Sequence, residues 1–174
     1  MRKLFMLLII FSASILVLCL FSQDSVYVGA SKCQICHKTE SQGQQYPIWQ
    51  NSKHSASLGA LSSADAAATA EAAGVQNPPE SPACLKCHAP LFEKAAELKT
   101  EGVTCEVCHG PGSEYKKLSI MKDRAAAVTN GLIVYDSEEA VRKQCLTCHE
   151  NAHGKSFDFA AAYEKIKHLK PEAK

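Results

Sequence analysis

The chain has 174 residues, with 19 Lys and Arg against 18 Asp and Glu, a formal net charge of +1 and an aromatic content of 7%. This length sets a prior of one domain, and the balanced charge excludes the basic surface that nucleic-acid binding requires. One Trp among 174 residues adds little aromatic bulk.

Arg2 and Lys3 precede an apolar run from Leu4 to Phe21, broken only by Ser12 and Ser14. A positive start followed by an apolar stretch is the pattern of a secretory signal, and the run is also just long enough to span a bilayer. Residues 1–22 are therefore an export signal or an N-terminal membrane anchor, and residues 23–174 the mature domain. Leu20 and Ser22 give a poor cleavage site. Cys19 lies within the apolar run, and bulky Leu18 before it disfavours a lipoprotein site. Loss of Arg2 and Lys3 would leave 17 basic residues against 18 acidic ones.

Cys33, Cys36 and His37 form the first of four Cys-x-x-Cys-His motifs. The others are Cys84, Cys87 and His88; Cys105, Cys108 and His109; and Cys145, Cys148 and His149. This is the attachment signature of a c-type haem. Cysteines three apart share one helical turn, so each can form a thioether to the macrocycle, and the histidine that follows projects beneath it toward iron. Cys-x-x-Cys pairs also build zinc sites. With seven histidines in the chain, four chance placements directly after the pairs are on the order of one in a million, and zinc does not require that placement. A thioredoxin-like motif would be single and near a βαβ pattern. The cofactor expected is thus four covalent c-type haems, which also implies export, because this attachment is made outside the cytoplasm. Four haems in about 150 residues must supply much of the core themselves, so the expected fold is mostly α: short helices and loops around closely packed haems, with little or no sheet.

Between the motifs, Tyr46–Ser55 has a helical pattern and carries His54. An alanine-rich helix runs from Ser62 to Ala73, with Ser62 or Ser63 as N-cap and Gly74 as its stop; its small side chains would allow close approach to a haem face. Asn77–Pro82 breaks the chain before the second motif. The motif starts are 51, 21 and 40 residues apart, which excludes a regular repeat and puts the second and third haems near each other. Gly110-Pro111-Gly112 turns the chain after the third motif. Leu132–Tyr135 is the only plausible strand and reads better as extended loop. Ser137, Glu138 and Glu139 open a helix into the fourth motif, and a last helix is expected over Phe157–Leu169, stopped by Pro171.

Four irons have eight axial positions. His37, His88, His109 and His149 fill four, and only His54, His153 and His168 remain. One position has no histidine in this chain. A Met or Lys fills it, a histidine from another subunit does, or one haem is open. His153, four residues after His149, would have to serve a haem other than the one His149 binds. Met121 is the only methionine beyond the leader and the best substitute ligand; the alternative for it is a buried apolar residue of a short helix.

These residues resemble the tetrahaem cytochrome c-554 family. The likeness covers most of the mature chain. It rests on Val28–Cys33, on Tyr46, Trp49, Ser52 and His54, on Gly102–Gly112, and on Phe157–Phe159 with Lys165–His168. It implies a mostly helical fold with haems in closely stacked pairs, and a carrier that passes electrons between periplasmic redox partners. It further implies that His54 is distal ligand to the fourth-motif haem and His168 to the third. Relatives ligate the first-motif haem by a histidine shortly after Gly-Pro-Gly. Here Ser113–Lys117 contains none, and Tyr115 or Met121 occupies the neighbourhood. The resemblance also points to the second-motif haem as five-coordinate, so either the first or the second haem lacks a histidine partner.

Three functions follow from this reading. The first is an exported electron carrier, periplasmic or extracellular, working between a donor and an acceptor protein. The second is a reductase of a small molecule such as nitric oxide, hydroxylamine or peroxide at an open iron. The third is a self-associating subunit of an extracellular filament, completed by a neighbour's histidine. No acid, base or nucleophile cluster stands apart from the haem ligands.

Overall fold

Short apolar runs punctuated by Gly and Pro give short helices. The computed structural model describes residues 25–168, and among these it contains ten α-helices, four 3-10 turns and no strand. The leader or anchor expected over residues 1–22, with Cys19, lies outside the described residues, as does Pro171. No helix among the described residues is long and apolar enough to cross a membrane.

The helices are α1 (Ala30–Gln34), α2 (Gln45–Gln50), α3 (Ser57–Ala60), α4 (Ala64–Ala72), α5 (Pro82–His88), α6 (Cys105–His109), α7 (Leu118–Met121), α8 (Arg124–Thr129), α9 (Glu138–His149) and α10 (Phe159–Tyr163). Their starts follow from side chains that accept the free N–H groups of a first turn. Ser63 Oγ accepts from Ala66 N, Asp123 Oδ1 from Ala125 N and Ala126 N, and Ser137 Oγ from Ala140 N. The last helix is shorter than the pattern suggested. Asp158 caps it by accepting from Ala161 N, so it begins at Phe159, and beyond Tyr163 it loosens into a turn. Leu132–Tyr135 is extended loop.

The motifs sit at helix C-terminal ends. α5, α6 and α9 each finish on a motif histidine. The first motif differs: α1 stops at Gln34, and Cys36 and His37 continue as a turn whose amides both donate to Cys33 O.

Side chains alone make a thin core. Of the ten buried apolar residues among those described five are alanines, and the main cluster is Leu61, Leu85 and Ala89, flanked by Leu58, Cys84 and Phe92. Polar cross-links do much of the tethering. Glu106, between the two cysteines of the third motif, is 1% exposed. Its carboxylate accepts from Val28 N at 3.0 Å, Gly29 N at 2.8 Å and Gly112 N at 2.6 Å. Glu101 accepts from Ala30 N at 2.9 Å and from Thr104 Oγ1 at 2.8 Å. These two carboxylates fasten the start of α1 to α6, so the first and third motifs become one unit.

Glu106→Ala should therefore lower stability by about 3–5 kcal/mol, because three backbone N–H groups lose their acceptor in a buried setting. Glu106→Gln, which keeps one acceptor oxygen, should lose about half as much. Denaturant midpoints of the two variants check this, and equal losses would contradict it.

Candidate haem-binding site

Six of the seven histidines meet in three pairs whose partners are far apart in sequence. The rings of His54 and His149 have centroids 6.2 Å apart, those of His88 and His153 6.3 Å, and those of His109 and His168 5.9 Å. Each pair joins one motif histidine to one histidine outside the motifs. A metal–imidazole nitrogen bond of about 2.0 Å plus a ring radius of about 1.1 Å, taken twice, gives roughly 6.2 Å between centroids on either side of one iron. The spacing therefore fits a single iron between two imidazoles. Structural zinc instead wants four converging donors, and among the described residues no three His, Cys, Asp or Glu side chains form such a cluster.

The motif histidines are oriented from behind. His88 Nδ1 donates to Ser57 O at 2.9 Å, and His109 Nδ1 donates to Ile133 O at 2.9 Å. A carbonyl can only accept, so Nδ1 carries the proton and Nε2 keeps its lone pair for metal. His37 Nδ1 has Gln45 Oε1 at 3.3 Å in the same role. His149 lacks such a bond and is instead stacked on Phe157, at 4.5 Å and 13°. Burial, reinforced by His149, lowers the pKa of His54; burial lowers that of His109, and burial with His88 nearby lowers that of His149. All three shifts favour the neutral ring, which is the form that binds metal.

Loops hold the partner histidines. His54 follows α2, and its carbonyl is gripped by Val103 N at 3.0 Å and Ser57 Oγ at 2.7 Å. Ser57 Oγ also lies 2.7 Å from His88 O, so one hydroxyl ties the His54 loop to the end of α5. Trp49 Nε1 donates to Val103 O at 2.8 Å, which closes the junction. His153 lies in a 3-10 turn, Ala152–Gly154, with φ of 56°, and Asn151 before it has φ of 51°. The left-handed region is costly for residues with a side chain, and here it turns the loop back toward His88. Thr69, Ala72 and Ala73 of the alanine-rich stretch border a hollow with His153 and Lys155.

Among the described residues none of the eight motif cysteines is in a disulfide. Cys33 and Cys105 lie against each other, as do Cys87 and Cys148, while Cys108 faces Cys145 and Cys148. The order of neighbouring motifs is first, third, fourth, second. Desolvation of the buried Cys108 thiol, with Cys145 and Cys148 adding to it, pushes its pKa up to about 11. Tyr115 is 4% exposed, and its hydroxyl donates to Gly110 O at 2.8 Å. Burial first, then Cys33 and Glu106, raises its pKa, so the phenol keeps its proton. Met121 ends the four-residue α7, half-buried. Glu101, Glu106, Ser57 and Gln45 were not singled out by sequence, since each acts on a partner remote in the chain or through an unremarkable local position.

Opposed imidazole pairs, each backed by a Cys-x-x-Cys-His helix end, define a small helical c-type cytochrome. Residues 32–110 match the model of the family described as cytochrome c554 and c-prime. The chain is also 24% identical over 155 residues to cytochrome c-554 of Nitrosomonas europaea, an alignment of 80% of this chain and 64% of that relative. The chain thus covers less than two thirds of the relative's length, and no solved structure matches it. Over its first three motifs the chain is thus similar to the cytochrome c-554 family. The matched stretch takes in the first three motifs and ends before the fourth.

Gly102 shows how tightly the His54 junction is built. With φ of 66°, a Cβ there would meet His54 O at 2.6 Å and collide with Ser57 Oγ. Gly102→Ala should cost about 2 kcal/mol or more and displace His54. A thermal midpoint and the low-spin resonance of the haem protein, measured together, check both effects; an unchanged resonance would mean that His54 is not held from this side.

Proposed function

We propose that this chain is an exported tetrahaem c-type cytochrome that passes electrons between redox-protein partners in the periplasm or at the membrane. The observation that carries the reading is the set of three imidazole pairs at 5.9–6.3 Å, each containing one motif histidine. Cys33 and Cys36, Cys84 and Cys87, Cys105 and Cys108, and Cys145 and Cys148 would hold the four haems as thioethers. His37, His88, His109 and His149 would bind iron from the motif side, and His54, His153 and His168 from the other. When bound, haem supplies a one-electron couple between ferric and ferrous iron.

The chain's own residues suit that couple to transfer rather than to catalysis. At three of the four irons two imidazoles leave no position for a substrate. The bonds from His88 Nδ1 to Ser57 O and from His109 Nδ1 to Ile133 O hold the rings still, so little rearrangement accompanies a change of charge. The neighbouring thiols of the first and third, third and fourth, and second and fourth motifs set the attachment points side by side. That arrangement supports transfer from haem to haem within the chain, with the outermost motifs facing donor and acceptor. Export, through residues 1–22 as a cleaved signal or retained anchor, accords with the chemistry of attachment.

The full chain, expressed with a c-type haem maturation system, should carry the added mass of four haems under denaturing conditions. It should appear in the periplasmic or membrane fraction and be reoxidised by an added cytochrome through several one-electron phases. The double variant Cys145→Ala, Cys148→Ala should lose one haem. A chain that binds zinc instead, or retains no covalent haem, would refute the reading.

A further inference from the structure

All seven histidines of the chain lie among the described residues, and six are committed to the three pairs. His37 faces no second imidazole. The histidines within electrostatic reach of it, His109 and His168, already face each other. We propose, on the four-haem reading, that the iron held by His37 is the protein's one open position, a binding site for a small uncharged axial ligand, and that His153 closes the iron held by His88.

Three further observations bear on the site. First, His37 has Gln45 Oε1 behind Nδ1, so its Nε2 is available for iron like those of the other motif histidines. Second, the side chain that sits beside Cys33 and Cys105 is Tyr115, and its hydroxyl already donates to Gly110 O. A phenol tied to a carbonyl fills space next to the first motif without offering iron a lone pair on the terms imidazole does. Third, the first motif is the most open of the four. Cys36 is the one exposed motif cysteine, and Ile35 beside it is 71% exposed. The charged side chains near Cys33 are Glu106 and Glu101, whose carboxylates are held by backbone amides, and Lys116, so no cluster of cations favours an anion there and neutral molecules are the fitting class.

Carbon monoxide is the probe, used on the reduced holoprotein after its haems have been counted by mass. The unsubstituted protein and Met121→Ala should each take up one carbon monoxide per chain. His153→Ala should take up two, because removing this loop histidine opens the second-motif iron as well. The oxidised protein should show one high-spin ferric signal beside three low-spin ones. Four low-spin signals with no uptake would overturn the proposal, as would uptake appearing only in Met121→Ala. His153→Ala remaining at one, with four haems bound, would overturn it too, since the open iron would then be the second-motif one. A mass showing fewer than four haems would bring down the tetrahaem reading itself, whereas four haems without uptake would bring down only this assignment.

Discussion

The fold depends on a buried carboxylate. Glu106 lies between the cysteines of the third motif and collects the amides of Val28, Gly29 and Gly112. A carboxylate in a nearly dry position is costly unless its lone pairs are used, and here they are used by backbone that has no other partner in a helix or sheet. Few apolar side chains are buried, so this junction takes over a task that a larger core performs elsewhere. It joins the entry of the first motif to the third and so decides which motif cysteines end up together.

From that junction the rest of the site follows outward. The carbonyls of His54 and Ser57 receive Val103 N and His88 Nδ1 respectively, while Ile133 O receives His109 Nδ1. The long loops are therefore scaffolding for imidazoles. Leu132–Tyr135, which has the composition of a strand, lies beside α6 and gives its carbonyl to His109; Tyr135 adds a hydrogen bond to Cys108 O at 2.8 Å. The likeness to the cytochrome c-554 family accords with this arrangement, and the match stops before the fourth motif, whose histidine is set by stacking on Phe157 rather than by a carbonyl.

Much of this was legible in the sequence because it is local. The Cys-x-x-Cys-His spacing, the serine caps at Ser63 and Ser137, the break at Asn77–Pro82 and the absence of sheet all follow from neighbours within a few residues. The last helix is shorter than the aromatic pattern around it implies, because Asp158 caps it at Phe159. The meeting of His88 with His153 was not legible, since it depends on backbone at Asn151 and His153 that neither residue type announces. Glu106 was equally silent: an x position in a motif says nothing about amides some 77 residues away. Charge balance and histidine count, by contrast, needed no structure at all.

The indole of Trp49 has a consequence of a different kind. It is the chain's single tryptophan, and its N–H is fixed to Val103 O at the seam between the His54 loop and the third motif. Its emission is therefore a built-in optical gauge of that seam. Beside a light-absorbing macrocycle an excited indole is quenched, so the folded cytochrome should be nearly dark and become bright as the seam parts. Opening of the His54 loop can thus be followed by fluorescence alone, with no label and no background from a second indole.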